Sequence, residues 1–454
     1  MGGRLSRTAR LARLSATAGG DLYAARRDER HGDREGASAH HARVADAMVE
    51  VLGSMKGAAM KVGQLLSFLD IDADDATTDV YRQRLAALRD AAPPTQPRAI
   101  GEVLASEYGA PAEQVFSAWE PQPFAVASIG QVHRARLDDG TLVAVKVQHP
   151  GVAEAVEADL ANAGAFARLL RLTHPHLEVA PLLEEVRARL LPELDYQQEA
   201  IFQQAFVDRY SGHPFIRIPR VHHAWCRPRV LVTDYVQGRT FDEVAQDAQS
   251  AERDTYGEII FRFVFGSLYR FRLFNADPHP GNFLFPGDGT VAFLDFGCTK
   301  AFSSGARARL GAVHRAVAAH DVEALRLALV EAGILRRERR DEVDVGVVLR
   351  WFDQAHEPMR ENAEYTYGTT YARRVLASSS DPGHGYQEEL RKLDMPADYL
   401  LLNRITFGVN SLLAQLRPTA NWHAIMAELS EGRPPATPTG EAEAAFFRDS
   451  ALLA

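Results

Sequence analysis

Cysteine is almost missing from this sequence. Only Cys226 and Cys298 occur, far apart and in no metal-ligand spacing, which argues against a disulfide framework or structural zinc site and for a reducing, intracellular setting. Long apolar runs are missing too. The nearest, Ile259 to Phe274, is interrupted by Arg262, Arg270 and Arg272, short of the roughly 18 apolar residues that a membrane-spanning helix needs. Positive charge is not in excess: 51 basic residues face 60 acidic ones, a net charge of −9. Nothing in that balance forms an electrostatic footprint for nucleic acid, and no nucleic-acid partner is expected.

What is present is an ordinary globular balance, 46% hydrophobic and 24% charged over 454 residues, enough for two or three lobes. Residues 1–43 stand apart. They are rich in Ala, Arg, Gly and His without a sustained hydrophobic period, and read as a mobile or weakly helical basic arm. Arg4, Arg7, Arg10 and Arg13 precede any acidic residue, a pattern shared with transit peptides and membrane-surface helices. Leu11 and Leu14, however, project on the same side as Arg4 and Arg7, a poor membrane face. The opening MGGRLS also fits the loose myristoylation pattern. Peripheral contact of the arm with an anionic membrane stays open as an alternative to a solvated arm.

The domain proper begins near Ala45. Met48, Val51, Leu52, Met55, Ala59, Val62, Leu66 and Leu69 follow the rhythm of an amphipathic helix. A shorter helix is expected over 78–89, followed by a proline-rich linker from Ala91 to Pro97. Ile129 to Leu137 and Thr141 to Gln148 read as strands around the hairpin turn Asp138-Asp139-Gly140. Helices are expected over 152–172 and 182–210, then a strand pair over 217–225 and 229–236. From Asp242 the pattern is mainly helical, interrupted by short strands at 283–285 and 290–294.

The strongest chemical signal is Asn275-Ala-Asp277-Pro-His-Pro-Gly-Asn282, followed one hairpin later by Asp295-Phe296-Gly297. Phosphoryl transfer from ATP needs a carboxylate to orient the acceptor and oxygen ligands for Mg²⁺ near the phosphates. Asp277 suits the first role, Asn282 and Asp295 the second, and Asn282 lies five residues after Asp277, as in a kinase catalytic loop. Taken singly, each motif is also an ordinary turn. Upstream, Val143-Ala-Val-Lys146 ends a strand with the lysine that a kinase uses on the α- and β-phosphates. In the helix after Pro192, Asp195, Glu199, Phe202 and Phe206 share one face, and acids on an apolar stripe need a counter-charge, for which Lys146 is the natural partner of Glu199. All four elements occur in kinase order. Between them, Val230 to Gly238 reads as a strand running into a linker between lobes, whose backbone near Asp234 to Val236 could hydrogen-bond an adenine, although any edge strand would look alike.

Two features depart from ordinary kinases. A GxGxxG loop is lacking; its place holds Ala125, Val126, Ala127, Ser128, Ile129 and Gly130, whose methyl groups restrict the backbone that would approach the phosphates. Altered nucleotide geometry and poor phosphorylation of proteins are expected. The early helix, moreover, carries Gly53, Gly57, Met60, Lys61, Gln64 and Phe68 opposite its apolar stripe, so it is expected to pack on two sides with Lys61 and Gln64 in the second interface.

Lys61-Val-Gly-Gln64, the alanine-bearing loop, Glu193-Leu-Asp195 with Glu199, Ala276-Asp277-Pro-His-Pro-Gly-Asn282 and Asp295-Phe-Gly297 together resemble the UbiB/AarF atypical kinases over about 44–416. Departures are Asn275 where a histidine is usual, Asp234 where glutamate is common, and Val126 within the alanine run. The C-terminal membrane helices of some members have no counterpart, so integral-membrane location is not implied.

The resemblance implies an α+β, bilobal protein-kinase-like fold with an N-terminal KxGQ helical extension and a mainly helical C-lobe. The expected divisions are 1–43 (arm), 44–110 (extension), 111–238 (N-lobe), 239–430 (C-lobe) and 431–454 (loose tail). It further implies ATP/ADP and Mg²⁺ as ligands, with Lys61 and Gln64 over the nucleotide site facing Glu193 and Asp195. ATPase behaviour and a lipid or quinone-precursor ligand in isoprenoid-quinone metabolism follow from it as well. Location is expected to be cytoplasmic or peripheral to a membrane; a protein partner is not identified. The alternatives are a small-molecule phosphotransferase and a non-catalytic nucleotide-sensing scaffold.

Overall fold

The computed structural model describes residues 17, 20–21, 23–25, 27–28, 31, 33–53, 94–127, 129–161, 194–275, 278–380, 385–394 and 396–449. Two compact units form: Met1–Gln198 with His222–Thr233, and Glu199–Val221 with Asp234–Ala454. The expected lobe boundary at 238 therefore shifts to Thr233/Asp234, and Glu199–Val221 groups with the second unit rather than the first. No helix among the described residues is long and apolar enough to cross a membrane.

Alternation builds the first unit's sheet. On the Leu142–Gln148 strand, Val143, Val145 and Val147 are fully buried, and the period of two turns Lys146 to the opposite face. It pairs antiparallel with Gly130–Arg136, Val132 opposite Lys146. The connecting turn is closed by Gly140 N–H to Leu137 O, with Gly140 at positive φ as that turn requires. Ala118–Trp119 and Ala125–Val126 also pair with Gly130–Arg136, and Val230–Asp234 lies beside Leu142–Gln148. The Pro97–Tyr108 helix joins this unit through Glu107, which accepts from Arg229 Nε at 2.6 Å.

The second unit is mainly helical around an aromatic core. Nearly every residue of the Ser250–Gly266 helix from Tyr256 onward is buried, as its all-round apolar pattern demands. A four-stranded sheet packs against it: Ile216–Arg217 pairs in parallel with Val291–Phe293, which pairs antiparallel with Phe283–Phe285, which pairs with Arg239–Thr240. The short hairpin expected at 283–294 is thus present.

Several expectations are corrected. Residues Arg34–Gly53 form one helix that begins inside the expected arm, with Ala37, Val44 and Ala45 buried. Its alanines favour helix, and Asp21 ties to it through Arg43 Nε at 2.8 Å. The expected strand over 217–225 is reduced to Ile216–Arg217 and, beyond Pro219, which cannot donate to a ladder, to the bonds from His222 N–H to Val232 O and from Asp234 N–H to Arg220 O. The helix expected over 182–210 starts at Tyr196; residues 162–193 lie outside the described set.

The tail is not loose. Pro438–Asp449 is a helix with Glu443 and Phe447 buried; Pro438 opens it, where the missing N–H costs nothing, so the preceding Pro/Gly stretch is a linker into a docked element. Arg262, fully buried, holds it in place. Its Nη1 donates to Glu443 at 2.9 Å, its Nε to Glu258 at 2.7 Å, and its fork to both oxygens of Glu428 at 2.8 and 2.9 Å. Arg270 reaches the same Glu443 carboxylate at 2.7 Å and lies over the Phe447 ring.

His213 adjoins this cluster. Its Nδ1 accepts from Ile216 N–H at 3.1 Å, so the proton of the neutral ring sits on Nε2. Burial first, then Arg270 and Arg262, push its pKa down to about 3. The unfolded chain, titrating near 6.5, takes up the proton first, so stability held above pH 6.5 is lost as pH falls towards 3. We expect the urea midpoint to drop between pH 7 and pH 5. A His213→Asn variant, which keeps an acceptor at the Nδ1 position and cannot be protonated there, should drop less over the same interval. Equal slopes would contradict this.

Candidate functional site

In the first unit, the nucleotide-loop segment is shaped by close backbone approach. Ala125–Val126 pairs with Gln131–Val132, and Ala127 N–H donates to Gly130 O at 2.8 Å, closing a tight turn. Gly130 is obligatory there: a Cβ would lie 2.4 Å from Val147 O and 2.7 Å from Tyr196 Oη. Lys146 Nζ stands 4.9 Å from the centroid of the Tyr196 ring, a cation–π contact that directs the lysine to this end of the sheet. Gln148 Nε2 donates to Leu194 O at 2.8 Å and Tyr196 N–H to Pro228 O at 3.2 Å, anchoring the turn that carries Asp195.

Asp195 itself does not belong to the helical stripe. Its Oδ1 accepts from Gln197 and Gln198 N–H at 3.0 and 3.2 Å, so it is the exposed N-cap of the Tyr196–Tyr210 helix. An aspartate before a helix satisfies these orphan donors better than it continues the helix. Glu199, in the first turn, is 2% exposed, where the helix N-terminus favours a carboxylate.

Under the loop runs a buried polar chain that periodicity alone did not single out. Thr95 N–H donates to Gln131 Oε1 at 2.8 Å, and Gln131 Nε2 lies 2.8 Å from His133 Nε2. His133 Nδ1 lies 2.9 Å from Glu120 O, so Nδ1 carries the proton and Nε2 accepts. Burial holds His133 below the usual histidine range. The available signal was two polar residues, Gln131 and His133, on the buried face of a strand.

In the second unit, the hairpin joins the two motifs through its backbone. Leu294 N–H donates to Asn282 O at 3.0 Å, so the residue before Asp295 is bonded to Asn282. Asp295 Oδ1 accepts from Gly297 N–H at 3.0 Å, and Asn275 Nδ2 donates to Asp295 O at 2.6 Å. Asn275, noted in the sequence only as a departure, thus bolts the loop to the Asp-Phe-Gly turn. Phe296 is fully buried, 4.9 Å from Phe206 of the Tyr196–Tyr210 helix, centroid to centroid. That helix also carries Glu199, so the glutamate and Asp295 hang from one packed aromatic pair.

The oxygen donors of Asn282 and Asp295 fit a hard divalent cation such as Mg²⁺, which takes few protein ligands and completes its shell with phosphate and water. Among the described residues there is no cluster of three or more His, Cys, Asp or Glu side chains that could hold a metal by themselves. Asp234 is partly committed elsewhere: its N–H donates to Arg220 O at 2.9 Å and its carboxylate takes Arg220 Nε at 2.9 Å. Its N–H is therefore engaged with Arg220 O, and a backbone contact from Asp234 to an adenine would have to come from its carbonyl. Lys61, Gln64, Ser128, Glu193 and Asp277 lie outside the described residues.

Comparison with known proteins agrees with this architecture. Residues 87–329 match the ABC1 atypical kinase-like domain. Rat atypical kinase COQ8B, mitochondrial, is 34% identical over 57% of this chain and 49% of its own length; fission-yeast (Schizosaccharomyces pombe) atypical kinase COQ8, mitochondrial, is 30% identical over 62% and 46%. The chain spans about half the length of these curated relatives. A solved structure of Rv3197 with erythromycin, from Mycobacterium tuberculosis, aligns with a TM-score of 0.61 at 31% identity, over 84% of this chain and 93% of that one. The lysine strand, the buried glutamate helix, the Asp/Asn loop and the Asp-Phe-Gly turn stand in a chain that belongs to the ABC1 (UbiB/AarF-type) atypical kinase-like family.

Proposed function

We propose that this protein is a Mg²⁺-dependent, ATP-binding atypical kinase or ATPase serving isoprenoid-quinone or lipid metabolism. The observation that carries the reading is the Leu294–Asn282 backbone bond with the Gly297–Asp295 contact, which supports a two-ligand oxygen site at Asn282 and Asp295. Lys146 holds the α- and β-phosphates and Glu199 orients it; the Ala125–Gly130 segment, including Val126, Ala127 and Ser128, covers them. Asn282 and Asp295 hold the cation, and Asp277 orients the attacking water or hydroxyl. Val236 contacts the adenine, while Lys61 and Gln64 gate access. The cation, when bound, neutralises charge on the transferring phosphoryl group. The names of the COQ8 relatives support the quinone assignment, and a peripheral membrane location fits a lipid or quinone-precursor ligand.

A second reading is a small-molecule phosphotransferase. It is favoured by the solved relative in complex with erythromycin, a bulky small molecule. The deciding experiment measures ATP binding with and without Mg²⁺, then phosphate and ADP release alone, with anionic liposomes, with a soluble quinone-precursor mimic and with a macrolide. Mg²⁺-dependent binding with turnover, raised by liposomes or the mimic, is expected. ADP release only with a small-molecule acceptor would favour the second reading, binding without any turnover a nucleotide-sensing scaffold, and failure to bind ATP would sink both enzymatic readings.

A further inference from the structure

The segment from Pro278 to Asn282 leans on a helix far away in sequence. Gly408 is a buried residue of the Ala397–Leu416 helix. A Cβ built there would lie 2.4 Å from Pro278 Cγ, with Pro278 Cβ and Cδ each at 3.5 Å. Glycine is a poor choice inside a helix, so its use at a buried helical position needs a packing reason. The Pro278 ring, seated where a side chain would be, supplies one.

Of the two partners, the helix is the one that cannot yield. Ile405, Val409, Leu412, Leu413 and Leu416 are at most 2% exposed. Asn410, two residues on, donates through Nδ2 to Tyr371 Oη at 2.9 Å and to Ala355 O at 3.3 Å, and accepts from Tyr367 Oη at 3.2 Å. The loop is held by local bonds of its backbone. Asn282 N–H donates to His279 O at 3.0 Å, Gly281 N–H to His279 Nδ1 at 3.1 Å, and Asn282 O accepts from Leu294. A push on Pro278 therefore travels along the loop to Asn282, and through the Leu294 bond to Asp295.

We propose that Gly408 is a positioning residue for phosphoryl transfer: by admitting the Pro278 ring it sets the height of the Pro278–Asn282 segment against Asp295. This rests on the reading of Asn282 and Asp295 as cation ligands. Opening the contact from 2.4 Å to the 3.4 Å where ordinary van der Waals contact begins displaces the loop by about 1 Å, a misplacement that costs on the order of 100-fold in rate.

The test is a double-mutant cycle. Gly408→Ala is expected to lower ATP turnover about 100-fold and raise the Mg²⁺ requirement, and to speed hydrogen exchange in peptides spanning 278–297. Gly408→Ala/Pro278→Ala removes the Cγ that crowds the new methyl and leaves Pro278 Cβ at 3.5 Å, so turnover should recover at least about ten-fold over the single variant, against additivity. Exchange over 278–297 should return towards wild type. Unchanged exchange in Gly408→Ala, or a double variant no better than the single, would overturn the proposal. Should wild type turn over no ATP, the exchange cycle still decides it, and the phosphoryl-transfer reading fails separately.

Discussion

Replacing Asp295 with asparagine is expected to lower Mg²⁺-dependent ATP turnover by about 100- to 1,000-fold, the usual effect of deleting one preorganised electrostatic group. The substitution is nearly isosteric. Asparagine keeps the oxygen that accepts from Gly297 N–H, and the backbone carbonyl that accepts from Asn275 is untouched. Folding stability should therefore stay within about 0.5 kcal/mol of wild type. What is lost is the negative charge next in sequence to Leu294, which is bonded to Asn282, so the defect should grow as Mg²⁺ is lowered while ATP binding without Mg²⁺ persists. Phosphate release across a Mg²⁺ titration, alongside urea unfolding, separates the two effects. A variant that unfolds like wild type and turns over ATP like wild type would remove Asp295 from the site.

The largest effect on stability is expected at Arg262. Two guanidinium groups, on Arg262 and Arg270, serve three buried carboxylates, on Glu258, Glu428 and Glu443. Arg262→Met fills similar volume but leaves three acids facing one arginine, away from water. Removing one partner from a buried ionic cluster costs about 3–5 kcal/mol, a large fraction of a domain's net stability. Because Glu443 lies on the Pro438–Asp449 helix, that helix should be released first, seen as faster hydrogen exchange there before global unfolding. Arg262→Lys keeps the charge without the bidentate fork to Glu428 and should lie between the two. A loss below about 1 kcal/mol in Arg262→Met would mean that the carboxylates are relieved by protonation.

The motifs of the candidate site were legible in the sequence because they depend on short spacings. The Asp277-to-Asn282 offset, the hairpin before Asp295 and the alternation that ends at Lys146 are local patterns, and their described parts stand as the periodicities require. Local pattern misled where a polar residue had two uses. Asp195 looked like part of a helical stripe and is instead the cap that starts the helix, and the proline-rich stretch after 431 looked like a loose tail although the residues beyond it dock.

By itself, then, the sequence determined the family, the order of the lysine, glutamate, loop and Asp-Phe-Gly elements, and the absence of a glycine-rich phosphate loop, all of which depend on neighbours within a few residues. Only the tertiary structure decided which distant groups hold those elements still. Asn275 reaches Asp295, Phe206 meets Phe296, Gly408 admits Pro278, and Glu443 closes on Arg262. Close packing and buried-charge compensation act between residues that the chain brings together only on folding, and no spacing along the sequence encodes them.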